Sequence, residues 1–156
     1  MVTAAVRAAI AAVADPELPV LTIEELGILR DVTAEADGRL VVTVTPTYLG
    51  CPALDTIRAD IRAAARAAGW PRVDVVTAWD PPWTTDRITE SARVKLAAAG
   101  IAPPRPLLTL HVEAPPCPRC AAPGSEEIAR SGATACTAIR RCTACLEPFD
   151  HLKELP

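Results

Sequence analysis

A mixed α/β (α+β) fold, in which a small three-stranded sheet is covered by helices and followed by a cysteine-held ribbon, is what three features of this sequence predict. Apolar residues recur with helical spacing in three stretches, and they alternate with strand spacing in three others within the first hundred residues. The C-terminal third then carries two Cys-x-x-Cys pairs, Cys117/Cys120 and Cys142/Cys145.

Val6, Ile10 and Val13 form the i, i+4, i+7 stripe of a short amphipathic helix from about Thr3 to Val13. Asp15-Pro16-Glu17-Leu18-Pro19 ends it, because two prolines three apart make a rigid turn. Ile28 to Glu35 reads as a strand and Asp37-Gly38 as a hairpin turn; Leu40 to Thr45 returns with Leu40, Val42 and Val44 on one face. Pro46 closes that strand. After the loop from Thr47 to Cys51, Pro52 fits the first turn of a helix that turns Leu54, Ile57, Ile61 and Ala65 inward and stops at Gly69. Val73, Val75 and Thr77 alternate as a third strand. A Trp-Pro loop (Trp79 to Thr85) leads to a helix with Ile88, Ala92 and Leu96 on one face and Gly100 as its cap, completing a domain over residues 1–100. Residues 101–106 contain three prolines and are expected to form a stiff, extended linker. Residues 107–156 form the second module, in which Leu107 to Val112 alternates like a strand feeding the first cysteine pair.

The 156 residues allow one core domain and a small appendage, with 50% hydrophobic but only 3% aromatic residues, so the core is built from Ala, Val, Leu and Ile. A net charge of -3 argues against nucleic-acid binding, which needs a concentrated positive field. All but two of the 16 basic residues are arginine, a bias of genome composition rather than of function. The alanine-rich N-terminus does not read as a signal peptide, since Arg7 interrupts the apolar run and Asp15 and Glu17 follow soon after. No stretch of about 18 apolar residues occurs, so the expectation is a soluble, cytoplasmic chain without membrane contact.

A two-residue spacer lets both sulfurs of a Cys-x-x-Cys pair point at one ion, and a second such turn completes the tetrahedral thiolate shell that zinc prefers. Cys117, Cys120, Cys142 and Cys145 are therefore read as ligands of a structural zinc ion, and the module around them is too small to fold without its metal. Two disulfides and an iron-sulfur centre are the alternatives; sulfurs two residues apart strain when joined, and nothing at the N-terminus indicates export. Cys136 is read as ribbon core, with a substitute metal ligand as the alternative, and His111 and His151 are left out of the metal shell because four cysteines suffice. Cys51 precedes a helix, whose unpaired amides and positive dipole end favour thiolate; a small buried cysteine at a crowded helix start is the plain alternative. Asp15 and Glu17 are first of all readable as turn residues, and Arg58, Arg62 and Arg66 as a solvated stripe, with docking of an acidic partner as the alternative. No Ser-His-Asp pattern, glycine-rich phosphate loop or Glu-x-x-His pair is present, so no acid-base set competes with Cys51.

Asp15-Pro16-Glu17-Leu18-Pro19-Val20, Glu25-Leu26-Gly27-Ile28-Leu29-Arg30-Asp31-Val32 and Thr45-Pro46-Thr47-Tyr48-Leu49-Gly50-Cys51-Pro52 together resemble the iron-sulfur-assembly domain of SufT-type proteins. With Trp79-Asp80-Pro81-Pro82-Trp83, both cysteine pairs, Ser131-Gly132-Ala133-Thr134-Ala135-Cys136 and Glu147-Pro148-Phe149-Asp150, nearly the whole chain is similar to the PaaD family. These are small accessory proteins encoded with the multicomponent phenylacetyl-CoA epoxidase of aerobic phenylacetate degradation. Two departures affect the ribbon's shape rather than its ligands: the tail from His151 to Pro156 lacks the family's aromatic, cysteine-containing ending, and Ala121 stands where a glycine usually follows the second cysteine.

The resemblance implies a non-catalytic accessory role in installing or repairing a metal centre of the epoxidase, above all the iron-sulfur cluster of its reductase component. It implies Cys51 as the working thiolate, a pocket lined by Asp15, Glu17 and Thr45, and zinc fixing the C-terminal module. One thiolate per protomer cannot enclose a cluster alone, but it can hold iron or a cluster transiently with a client or across a homodimer. Three other classes stay open at this point. A cysteine-nucleophile enzyme needs a base beside Cys51, a nucleic-acid-binding ribbon needs a basic face, and a structural subunit of the oxygenase needs fixed stoichiometry.

Overall fold

The computed structural model describes residues 2–105 and 114–154; the expected strand from Leu107 to Val112, and His111, lie outside the described residues. The chain forms two compact units, residues 1–83 and 84–156.

In the first unit α1 (Ala4–Ala11) is started by Thr3, whose hydroxyl accepts the Val6 N–H at 3.4 Å. β1 (Leu29–Ala34) and β2 (Leu40–Val44) form the expected antiparallel hairpin, with Gly38 in the left-handed conformation that its turn requires. α2 (Leu54–Ala67) then carries the chain back, so that β3 (Val73–Thr77) pairs with β2 in parallel and the sheet order is β1-β2-β3. Val6 and Ile10 of α1, Leu40, Val42 and Val44 of β2, and Ile57, Ile61 and Ala65 of α2 are all buried, as their periodicities predict. Two residues depart from expectation. Trp83, expected in a loop, is only 3% exposed and donates its Nε1–H to the Leu26 carbonyl at 2.8 Å. Arg58 is not a freely solvated stripe residue, because its guanidinium reaches Thr77 Oγ1 at 2.6 Å and Asp55 Oδ1 at 3.2 Å.

In the second unit a short 3-10 turn (Thr85–Arg87) precedes α3 (Glu90–Ala98), capped by the Thr89 hydroxyl accepting the Ala92 N–H at 3.2 Å. Ile88 is buried but lies ahead of the helix rather than within it. The boundary between the two compact units falls after Trp83, ahead of α3. A physical reason is that α3 turns at Gly100 straight into β4 (Ile101–Ala102) and packs beside it. Ile101 and Ala102, expected in the linker, are extended but paired in parallel with Asp150 and His151 of β7 (Pro148–Leu152). β5 (Ser125–Ala129) and β6 (Thr137–Cys142) complete a four-stranded sheet of order β4-β7-β6-β5. Ala102, Cys117, Cys142 and Phe149 form a small buried cluster, so two of the cysteines are also core residues.

Gly132 sits where a Cβ would lie 2.5 Å from Thr137 Oγ1 and 2.7 Å from Asp150 Oδ1. Gly132→Ala is therefore expected to destabilise this unit by about 1–3 kcal/mol, the usual cost of overpacking. Denaturant titration followed by circular dichroism measures it, and an unchanged midpoint would show that the neighbours yield freely.

Candidate functional site

The four predicted ligands converge. Their sulfurs all lie within 4.8 Å of one another, with Cys117 to Cys145 at 3.9 Å and Cys120 to Cys142 at 3.6 Å. A tetrahedral ion with metal–sulfur bonds of about 2.3 Å requires sulfur–sulfur separations of about 3.8 Å. The donor set thus fits one four-coordinate metal ion, and all six cysteines are free thiols rather than disulfides. Each pair sits on a tight turn. Ala121 N–H donates to the Cys117 carbonyl at 2.8 Å, while the Cys142 sulfur accepts the amides of Ala144 (3.3 Å) and Cys145 (3.4 Å). The Cys145 amide lowers the Cys142 thiol most; Ala144 and the neighbouring thiols add to this against the cost of burial, bringing it down to about 6. Ala121 and Leu146, each just after the second cysteine of its pair, adopt positive φ (59° and 63°), so the turn geometry is kept without glycine.

Among the described residues the metal-ligating group comprises these four alone. Cys136 is buried with its sulfur 3.0 Å from Thr134 Oγ1. His151 is buried with Nε2 at 3.4 Å from Glu154 Oε1. Burial opposes ionisation of Glu154, but His151 and the Arg105 amide outweigh it and hold its carboxyl at about 2.

The second site lies at the start of α2. Cys51 is half-buried; its N–H donates to the Tyr48 carbonyl at 3.3 Å, and its sulfur accepts the Ala53 amide. The expected preference for thiolate is reversed. Burial pushes the Cys51 thiol up, the charges of Glu17 and Asp15 push it further, and the Ala53 amide and Thr47 hydroxyl only partly compensate. A dipole end acts within one helical turn, whereas desolvation and two carboxylates act together. Asp15 is 5% exposed, and its Oδ1 accepts the amides of Glu17 (2.9 Å) and Leu18 (2.8 Å), which makes it a turn former as well as a neighbour of Cys51. Burial raises the Glu17 carboxyl, and the Asp15 charge adds to that. Thr45 is 1% exposed and engaged by Arg30, whose Nη1 donates to its hydroxyl at 3.3 Å. The structure thus couples Asp15, Glu17 and Cys51 electrostatically and ties Thr45 to Arg30, a residue that sequence reasoning did not single out.

Because the raised thiol is mostly protonated near neutrality, Cys51 is expected to react slowly with iodoacetamide at pH 7.5 and faster as the pH rises. Glu17→Gln removes one of the charges holding the proton on, so it is expected to speed alkylation at fixed pH by about twofold to tenfold. A slower rate in that variant would refute the assigned sign.

Both halves of the chain match known families. The profile of the iron-sulfur cluster assembly protein family matches residues 3–78, and that of the PaaD zinc beta ribbon domain matches residues 102–153. A protein of Escherichia coli (strain K12), named as a putative subunit of 1,2-phenylacetyl-CoA epoxidase, is 46% identical, over 89% of this chain and 85% of its own length. The chain belongs to the PaaD family. Its assembly-type half is also similar to the "Fe-S protein maturation auxiliary factor YitW" of Bacillus subtilis (strain 168), 36% identical over 58% of this chain and 89% of that protein. Among solved structures, a DUF59 domain from Bacillus anthracis has a TM-score of 0.53 at 33% identity, covering 58% of this chain and 87% of its own. The conserved hypothetical protein TM0487 of Thermotoga maritima has a TM-score of 0.51 at 30% identity, covering 62% and 94%. The mixed α+β architecture with a zinc-ribbon domain is thus shared with the family. Among the described residues no helix is long and apolar enough to cross a membrane.

Proposed function

We propose that this member of the PaaD family is an accessory factor that assists iron-sulfur cluster or metal-centre assembly in the phenylacetyl-CoA epoxidase system, and that it has no catalytic turnover of its own. Its working group is Cys51, flanked by Asp15 and Glu17, and its four-cysteine centre holds zinc as a structural ion. The names of its relatives support this reading, one as an epoxidase subunit and another as an iron-sulfur maturation factor. The observation that carries it is the half-buried thiol placed just ahead of α2, near the charges of Glu17 and of an Asp15 held by two backbone amides.

That placement suits transfer rather than storage. With no cargo, burial together with the nearby carboxylates keeps the thiol protonated and a poor ligand. An approaching iron cation offsets the carboxylate charge, so the sulfur loses its proton as it binds, and reprotonation favours release to a client. Asp15 is held in place by two backbone amides, which fixes one charge of the pair. Thr45 is assigned to the wall of this pocket, and the reductase component is the client.

The test is to produce the epoxidase components in cells carrying wild-type or Cys51→Ser protein, then to measure iron and sulfide in the reductase and its activity. Serine keeps size and helix start but removes a soft ligand, so reductase loading is expected to fall severalfold while the fold survives. A fully loaded reductase in the mutant would overturn the maturation reading. The name of the Escherichia coli relative, which makes it a component of the epoxidase, favours a second reading, a structural part of the oxygenase. A stoichiometric requirement in the purified assay after loading would select it.

A further inference from the structure

The β1/β2 ladder pairs Leu29 with Val44 and Asp31 with Thr43, so Arg30 is the extra residue of a β-bulge. A bulge re-aims the side chain that it carries. Here the guanidinium Nη1 donates both to Thr45 Oγ1, at 3.3 Å, and to the Pro81 carbonyl, at 3.1 Å. Thr45 directly follows β2 and begins the loop that carries Cys51; Pro81 lies in the loop that follows β3. β2 and β3 are parallel, so both loops leave the same end of the sheet. Thr45 is itself anchored, its N–H donating to the Ile28 carbonyl at 2.8 Å, and it is fully buried.

We propose that Arg30 is a positioning residue of the Cys51 site, which fastens the start of the Cys51 loop to the loop after β3 through Thr45 and Pro81. It touches no cargo. Its bulge and its two acceptors set where the Cys51 loop leaves the sheet, and hence how deeply the thiol is buried beside Asp15 and Glu17. This inference rests on Cys51 being the working group of the proposed function, but its test does not use cargo loading.

Burial is the largest cause of the raised Cys51 thiol, so loosening the loop exposes the sulfur and moves its titration back toward the ordinary range. In the full-length protein, Arg30→Gln is expected to accelerate iodoacetamide alkylation of Cys51 at pH 8 by about threefold or more, equal to a downward shift of about half a pKa unit. The whole rate-against-pH profile is expected to shift with it. Thr45→Val removes one acceptor and is expected to act in the same direction; the double variant should exceed neither single variant by more than about twofold, because both break one linkage. Arg30→Lys keeps the charge and a donor nitrogen without the planar fork, and is expected to restore part of the wild-type rate. A folded Arg30→Gln protein with the wild-type pH profile overturns the proposal, as does a double variant whose effect is the product of the two singles. Should Arg30→Gln not fold, Arg30→Lys and Thr45→Val carry the same comparison, and a wild-type profile in both overturns it. If Cys51→Ser leaves the reductase loaded, the functional reading falls, while the alkylation profiles still decide the role of Arg30.

Discussion

Cys142→Ala is expected to abolish metal binding and unfold the ribbon. The four sulfurs already stand at tetrahedral spacing, and structural zinc contributes about 10–16 kcal/mol to the folding of small modules at neutral pH. Few small modules have comparable stability without their metal. Cys142 is fully buried beside Cys117, Ala102 and Phe149, so its truncation also removes core contacts. Metal analysis of the purified variant should give near zero against one zinc per chain in the wild type. Far-UV circular dichroism should lose the signal of β5 to β7, and a chelator should reproduce that loss in the wild type. Cys136→Ala is the control, because that thiol is buried outside the donor set and its loss should leave metal content unchanged. A full complement of zinc in the Cys142 variant would disprove the assignment.

Trp83→Ala is expected to cost the first unit about 3–5 kcal/mol, as large-to-small changes of buried aromatics do. It also strips the Leu26 carbonyl of its indole donor, and a buried acceptor left unpaired costs about 1–3 kcal/mol more. Against a domain stability of about 5–15 kcal/mol this brings the unit close to unfolding. Trp83→Phe keeps most of the volume but lacks the indole donor as well, so it is expected to lose chiefly the hydrogen-bond share of about 1–3 kcal/mol, and the difference between the two variants isolates packing. Urea titration by circular dichroism reads both. Equal midpoints for wild type and Trp83→Ala would show that the indole is not part of the core.

Trp83 is hidden in the sequence for a physical reason. It stands directly after two prolines in a loop with no period of its own, and its indole is held by Leu26, 57 residues earlier. Local features are legible: the stripe of Val6 and Ile10, the alternation of Leu40, Val42 and Val44, and the glycine turns all report a face or a dihedral within a few residues. The metal ligands are legible because a two-residue spacer is itself the geometry of half a shell. The Cys51 titration is not, since its sign is set by burial and by Glu17 and Asp15, which only the tertiary fold brings near. Arg30 escapes notice because a bulge is a property of two paired strands. Ile101 and Ala102 look like linker because a two-residue strand has no detectable pattern and its partner lies almost fifty residues later.

That late pairing dictates the order in which the molecule can be made. β4 leaves the ribosome early, but its neighbour in the sheet is β7, which emerges after both cysteine pairs. The first unit has all its strands in place by Thr77 and can close during synthesis, N-terminal part first. The second must keep one strand edge waiting until Pro148–Leu152 is translated, and only then can Cys142 and Cys145, made just before that strand, close the shell that Cys117 and Cys120 begin.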